Sequence, residues 1–238
     1  MIAVRRELSA AWKGWLGLVK SKDDLTDLHP YLARFSSAHP DDPGYIKAVL
    51  GSLARGEALV AAATAWNEPH IGGNKQTKAD RARGDQWRLV MAYGGLETLI
   101  KTLLCFTGRG LGPAEFRSFV LRAAPPSVNS PKVRRGRREL EDWLNRPGNG
   151  ASNPIIEFLG LERGDAAIIE RWLITGDDIT TWEDELRLAK ALRNATAHGA
   201  LTPSRAVKWG IVGAFEVLTL DIGRVATAAV QRLVTNPH

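Results

Sequence analysis

Residues 82–106 read ARGDQWRLVMAYGGLETLIKTLLCF, and this stretch decides the fold of the chain. Its large apolar side chains recur every three or four residues, which is the spacing of one face of an α-helix. These residues are Trp87, Val90, Met91, Leu96, Leu99, Ile100, Leu103 and Leu104. So long and regular a pattern predicts a long helix with a broad buried face.

Helical spacing of apolar residues recurs along most of the chain, and no segment shows the strict alternation of a half-buried strand. Proline, glycine and small polar residues separate these segments, as is typical of helix ends. The predicted helices cover residues 5–20, 24–35, 43–66, 82–106, 113–124, 139–144, 154–159, 166–174, 182–198 and 203–234. The sequence therefore predicts an all-α fold.

The two C-terminal helices have the clearest predicted ends. Thr180 or Thr181 can cap the first of them, and acidic residues follow in its first turn, where they favour a helix. Gly199 is a natural C-terminal stop for that helix. Thr202 followed by Pro203 then predicts the start of a last, long helix.

Composition indicates a globular protein from a reducing compartment. The chain has 238 residues, of which 44% are hydrophobic, so it can bury a core and form either one large helical domain or a core domain with a helical extension. Its single cysteine, Cys105, excludes an internal disulfide and a cysteine-based zinc cluster. Because Cys105 lies in an apolar run, we expect a buried small hydrophobe.

The chain is predicted to be cytoplasmic, with no part in a membrane. Charged residues follow Met1 within a few positions, and no apolar segment of a secretory signal comes after them. The most apolar stretch, 209–230, contains Glu216, Asp221 and Arg224, which a bilayer centre disfavours.

The net positive charge of the chain favours an anionic partner, and nucleic acid is the commonest such partner. The formal net charge is +6, and the isoelectric point is about 9.7. Five basic residues concentrate in an exposed-looking segment and could track an RNA backbone: Lys132, Arg134, Arg135, Arg137 and Arg138. A merely solvated basic loop is an equally good interpretation, and without aromatic residues the segment cannot read bases.

The candidate site lies in residues 191–199, which read ALRNATAHG. On a helix, Asn194 and His198 are one turn apart and share a face, whereas Arg193 lies roughly 140° from His198. A guanidinium can hold phosphate oxygens, and an imidazole can take or give a proton. Asn194 can orient either group or bind phosphate itself. These three residues are the predicted catalytic residues.

The pattern Arg193-Asn194-x3-His198 resembles the motif of the HEPN superfamily, in which Arg is followed after four to six residues by His on a helix. The resemblance implies a HEPN-like helical bundle over residues 80–238, and residues 1–70 then form an N-terminal helical extension. Active HEPN proteins are metal-independent endoribonucleases whose two motifs line one cleft of a homodimer. The family implies 2′,3′-cyclic phosphate and 5′-hydroxyl products, and no metal or other cofactor. Many members are toxins or antiviral-defence effectors, so an antitoxin or activating partner stays open.

Two other Arg–His pairs have the spacing of the HEPN motif but lack its structural context. Arg34 to His39 has apolar Phe35 after the arginine and runs into Pro40. The other pair, Arg232 to His238, falls in the C-terminal tail. The 193–198 match combines a helix, a polar neighbour and a helix-ending glycine.

Glu97 is the predicted supporting residue, because it is a carboxylate in an otherwise apolar helix and needs a partner there. Lys101, one turn on, is the preferred partner. The alternative is that Glu97 faces the motif helix and pairs with Arg193 or His198.

Two rival interpretations stay open beside the ribonuclease. One is a catalytically silent helical module that binds RNA or a protein, and the other is a structural protein whose motif is coincidental. In the second case Arg193 is a surface arginine, and His198 only satisfies the last carbonyl groups of its helix.

Overall fold

The computed structural model describes residues 1–68, 76–134, 137–146 and 153–235. Within these ranges the chain is helical and has no strand, so the predicted all-α fold is confirmed. Its α-helices are α1 (Ile2–Lys20), α2 (His29–Leu32), α3 (Pro43–Ala65), α4 (Lys78–Leu103), α5 (Pro113–Ala123), α6 (Arg138–Leu144), α7 (Pro154–Leu159), α8 (Arg163–Ile169), α9 (Trp182–Ala197), α10 (Pro203–Trp209) and α11 (Val212–Val234). A 3-10 turn (Leu25–Leu28) precedes α2, and a π-helical turn (Glu170–Thr175) follows α8.

The predicted single helix over residues 203–234 is wrong, because the structure divides it into α10 and α11. The break lies at Gly210, whose φ of 74° is in the left-handed region. A residue in that conformation ends a right-handed helix, and glycine adopts it without strain. The predicted start is confirmed, since the Thr202 hydroxyl accepts a hydrogen bond from the backbone N–H of Arg205 at 3.3 Å.

The described residues form two compact units. The first consists of residues from 1–65, 91–127 and 220–238, and the second of residues from 66–90 and 128–219. The two units are defined by contacts in space, and each is built from separate stretches of the chain. The sequence-based division instead separates two consecutive stretches, 1–70 and 80–238. That division stays a prediction.

The first unit has an apolar core in which α1 packs against α3. Leu8, Trp15 and Leu53 are buried there. Gly56 on α3 and Gly95 on α4 face each other so closely that a Cβ built on Gly95 would lie 2.6 Å from the Gly56 carbonyl oxygen. Glycine at both positions therefore allows the two backbones to meet.

Helix α3 is the one helix in the described part of the chain with the length and apolar composition to cross a membrane. Core helices of soluble proteins pass the same test. Here α3 packs against α1 and buries Ile46, Val49 and Val60. The arrangement is compatible with a soluble protein.

The second unit carries α9, which packs against α8. An aromatic cluster lies beside α10: the Trp143 ring centroid is 4.9 Å from that of Phe158 and 5.7 Å from that of Trp209. The Arg205 guanidinium lies 5.0 Å from the Trp143 ring centroid and forms an ion pair with Glu139. Cation–π contact and the ion pair hold this arginine in place.

Candidate functional site

Helix α9 carries the predicted site, and both of its ends are as predicted. The Thr181 hydroxyl caps its start by accepting a hydrogen bond from the backbone N–H of Asp184 at 3.2 Å. At its other end Gly199 has a φ of 75°, which stops the helix in the left-handed conformation that glycine favours. The backbone N–H of Leu201 then returns to the Ala195 carbonyl at 2.9 Å. The last turn of α9 is therefore closed by backbone hydrogen bonds.

Arg193 and Asn194 are joined through their side chains. The Arg193 Nη1 donates a hydrogen bond to the Asn194 Oδ1 at 2.8 Å. The Asn194 Nδ2 in turn donates to the Asp165 Oδ2 at 2.9 Å. Asn194 thus connects the guanidinium to a carboxylate on another helix, and both ends of its amide are engaged.

Asp165 is the anchor of this chain of hydrogen bonds. It lies in the first turn of α8 and is only 5% exposed. The Lys190 Nζ lies 3.3 Å from its other oxygen, Oδ1. Lys190 and Asn194 are one turn apart on α9 and so reach the same carboxylate from one face. A buried carboxylate is stable only with such partners, and a first-turn position adds the favourable helix dipole.

His198 follows the last residue of α9. Its backbone N–H donates to the Asn194 carbonyl at 3.0 Å, which confirms the predicted turn between these two residues. The residue is exposed, and its ring makes no hydrogen bond within the described residues. The ring can therefore reach a ligand from solvent without first breaking a structural contact.

Gln86 supports the turn after α9 from helix α4 of the same unit. It is 1% exposed, and its side-chain Nε2 donates to the Leu201 carbonyl at 2.8 Å. The same amide nitrogen lies 3.4 Å from the Thr196 hydroxyl. Gln86 consequently holds the segment that carries His198.

Sequence analysis missed three residues that build this site: Asp165, Lys190 and Gln86. Only Lys190 could have been found from the pattern, because it precedes Asn194 by one helical turn. Asp165 and Gln86 are far from the motif in the chain, and nothing in the sequence pairs them with it.

Glu97 forms an ion pair with Lys101, whose Nζ lies 2.9 Å from the Glu97 Oε1. The preferred partner from sequence is therefore confirmed. Pairing of Glu97 with Arg193 or His198 stays a prediction.

The described part of the predicted basic segment is anchored through its backbone, while the side chains of Lys132 and Arg138 are exposed. The Trp172 Nε1 donates to the Pro131 carbonyl at 2.8 Å, and the Arg134 N–H donates to the Gly210 carbonyl at 3.0 Å. Lys132 forms an ion pair with Asp178.

The other predicted basic residues have different surroundings. Lys132, Arg134 and Arg137 line one cavity of the second unit. The side chain of Arg138 is 94% exposed and lies 3.9 Å from Asp142. Arg135 lies outside the described residues.

A second polar cluster, in the first unit, consists of His39, Tyr45 and Cys105. The ring of His39 is 3% exposed, and its Nε2 lies 2.9 Å from the Leu103 carbonyl. A carbonyl only accepts, so Nε2 carries the proton and Nδ1 is an acceptor. The Tyr45 hydroxyl, 3.2 Å from Nδ1, donates to it, and the Cys105 Sγ lies at hydrogen-bond distance, 3.2 Å, from the same hydroxyl.

The predicted burial of Cys105 as a simple hydrophobe is wrong. The residue is half-buried, hydrogen-bonded to Tyr45, and has a φ of 54°. It lies just past the end of α4, where the chain turns, and tertiary contacts rather than local sequence determine its partner.

In the ranges that the structure describes, no group of three or more His, Cys, Asp or Glu side chains is arranged so that it could hold a metal ion. The chain matches no family model, and no curated protein or solved structure is significantly similar to it.

Proposed function

We propose that this protein is a metal-independent endoribonuclease of the HEPN type. The observation that supports it best is the path Arg193–Asn194–Asp165, which fixes a guanidinium at the end of α9 that also carries the exposed His198. A fixed cation and a solvent-accessible acid–base group, here carried by the same end of one helix, are the two groups that phosphodiester cleavage uses.

Each motif residue has a role in the proposed reaction. Arg193 binds the oxygens of the scissile phosphate, because a guanidinium stays charged and matches phosphate geometry. His198 is the general acid or base. Asn194 positions Arg193 through its Oδ1, at a hydrogen-bond distance of 2.8 Å.

The proposed cleavage needs no water, metal or other cofactor. The ribose 2′-oxygen loses its proton to a base and attacks the phosphorus, and the bond from phosphorus to the 5′-oxygen breaks. The leaving 5′-oxygen takes up a proton from an acid. The products are a 2′,3′-cyclic phosphate and a 5′-hydroxyl. In a homodimer with the motif at the interface, His198 of each copy supplies one of the two proton transfers.

The proposal includes a biological setting. The partner is RNA, the compartment is the cytoplasm, and the protein acts as a toxin or an antiviral-defence effector. An antitoxin or activating partner would then control its activity.

The test is incubation of RNA of mixed sequence with wild-type protein, His198→Ala and, as the control at an exposed residue outside the site, Lys13→Ala in the presence of EDTA. Wild type and Lys13→Ala are expected to cleave and to leave cyclic phosphate ends. His198→Ala is expected to lose about 100-fold or more of the rate, the contribution of general acid–base catalysis. Since His198 is exposed and its ring makes no hydrogen bond within the described residues, its replacement leaves the melting temperature unchanged.

Two results would contradict this proposal. Cleavage that requires a metal and survives in His198→Ala would remove the site assignment. Salt-dependent RNA binding without cleavage by any of the three proteins would favour the second candidate, a catalytically silent module that binds RNA. The exposed cations Lys132 and Arg138 of the predicted basic segment are the observation that favours this candidate.

A further inference from the structure

A cavity of about 570 Å³ in the second unit is lined by five cationic residues, one carboxylate, and valine and glycine residues. Its walls come from three separate parts of the chain: the start of α4, the segment before α6, and the turn between α10 and α11. The charged residues that line it are Lys78, Arg81, Lys132, Arg134, Arg137 and one carboxylate, Asp85. We name it the basic cavity.

The positive charge of the basic cavity is only partly neutralised within the chain. Asp85 is engaged by Arg88, whose Nη1 lies 2.8 Å from the Asp85 carboxylate, so it is not available in full to the cavity cations. Three of those cations, Lys78, Arg134 and Arg137, have no ion pair within the described residues. Converging like charges repel one another, and an anion in the cavity relieves that repulsion.

Arg137 supplies a polar atom that needs a partner. Its Nε is buried and has no hydrogen-bond partner in the part of the chain that the structure describes. A buried donor without a partner is costly, and each such group in a native protein calls for an explanation. An anion in the basic cavity would supply the acceptor once the Arg137 side chain turns toward it.

Backbone contacts build the wall that carries Arg134 and Arg137. The Arg134 N–H donates to the Gly210 carbonyl at 3.0 Å. Gly210 has a φ of 74°, and a Cβ there would lie 2.7 Å from the Arg134 carbonyl oxygen and 3.1 Å from the Arg137 Cγ. Only glycine allows this close approach, so the fold fixes where the backbone of the two arginines lies.

We propose that the basic cavity binds a small molecule that carries two or more phosphate groups close together. Its volume lies in the range of about 300–1,000 Å³ that is typical of small-molecule sites. A single phosphate carries a charge of about −1.5 to −2, which is less than the three unpaired cations. Apolar side chains of Val133, Val207 and Val212 line the same space and suit a non-ionic portion of the ligand.

RNA is the less suitable occupant. Proteins that bind single-stranded RNA combine a groove that follows the backbone with aromatic side chains on which bases stack. None of the residues that line the basic cavity is aromatic. The proposal is separate from the Arg193 site and does not depend on ribonuclease activity.

The experiment is titration calorimetry of the full chain with tripolyphosphate, pyrophosphate and orthophosphate. Wild-type protein is expected to bind tripolyphosphate or pyrophosphate at one site per chain, about tenfold or more tightly than orthophosphate, since each charge-assisted contact adds roughly a factor of ten. Arg137→Ala is expected to weaken that binding by about tenfold or more.

The matched control is Arg138→Ala. This variant removes the same charge from the adjacent residue, whose side chain is 94% exposed and does not line the basic cavity. Its affinity is expected to stay within about twofold of wild type, since exposed charges contribute little. Circular dichroism checks the fold of each variant. If Arg137→Ala fails to fold, the exposed Arg134→Ala is used in its place, with the same expected loss.

Several results would overturn the proposal. They are absence of polyphosphate binding, equal affinity for orthophosphate, or an equal loss in Arg138→Ala. An RNA oligonucleotide that displaces tripolyphosphate and depends on Arg137 would instead assign the basic cavity to the RNA backbone.

Discussion

Asn194 and Asp165, which are 29 positions apart in the chain, are joined by a hydrogen bond of 2.9 Å between the asparagine Nδ2 and the aspartate Oδ2. This bond leaves the Asn194 Oδ1 directed at the Arg193 guanidinium. Because an amide donates from one end and accepts at the other, Asp165 determines which end faces Arg193. Asp165 is thus a positioning residue for the candidate site, and it acts through Asn194.

Replacement of the buried Asp165 should destabilise the protein more than replacement of Asp178, an exposed aspartate that also forms an ion pair. Asp165→Ala leaves the Asn194 amide and the Lys190 ammonium without their common acceptor, and we expect a loss of about 2–3 kcal/mol in the free energy of unfolding. Asp178→Ala is the control, because the side chain of Asp178 is 63% exposed in its pair with Lys132. We expect a change of about 0.5 kcal/mol or less there. Urea denaturation measures both, and equal losses would contradict the anchoring role.

His39 should make the protein less stable at mildly acidic pH. Burial lowers the pKa of His39, and its hydrogen bond with the Leu103 carbonyl only partly opposes this effect. As the pH falls below about 6.5, the unfolded chain takes up a proton at this histidine while the folded chain does not. The free energy of unfolding therefore decreases from pH 7 to pH 5. His39→Gln should show a smaller decrease, and parallel curves for the two proteins would refute the prediction.

Tyr45 should make the protein less stable at alkaline pH. Burial, followed by the hydrogen bond with Cys105, raises the pKa of Tyr45 to about 12. Below pH 10 the phenol is neutral in both the folded and the unfolded chain, so its stabilising contribution is complete. Between about pH 10 and the folded pKa, the unfolded chain ionises first and stability is lost. Denaturation of wild type and Tyr45→Phe at pH 8 and pH 11 measures this, and the variant should lose less. An equal loss in both proteins would show that Tyr45 does not titrate as described.

The close approach of Gly56 and Gly95 can be tested with two neighbouring substitutions. A Cβ on Gly95 would lie 2.6 Å from the Gly56 carbonyl oxygen and 2.9 Å from the Leu59 Cβ, whereas a Cβ on Gly94 would meet nothing within 4 Å. Gly95→Ala should therefore destabilise the protein by about 1–3 kcal/mol through overpacking. Gly94→Ala should stabilise it by up to about 1 kcal/mol through helix propensity. Thermal unfolding should shift in opposite directions, and a shift in the same direction would argue against the contact.

Periodicity and capping residues were enough to predict most helices. Thr181 and Gly199 mark the ends of α9 through their own side chain and backbone, so the prediction depended only on local chemistry. Gly210 shows the limit of this reasoning. Its neighbours continue the apolar pattern, and only its left-handed conformation, stabilised by the hydrogen bond from Arg134, shows that the last helix is interrupted.

The sequence by itself determined the helical class, the ends of α9 and the place of Arg193, Asn194 and His198 on it, because helix geometry depends on residues a few positions apart. Only the tertiary structure decided that Asp165 orients Asn194 and that Gln86 supports the turn with His198. It likewise decided that cations from two distant parts of the chain line one cavity together with the turn between α10 and α11. The physical reason is that side chains distant in sequence meet only when helices pack. The residue pattern of one helix does not specify which surface will pack against it.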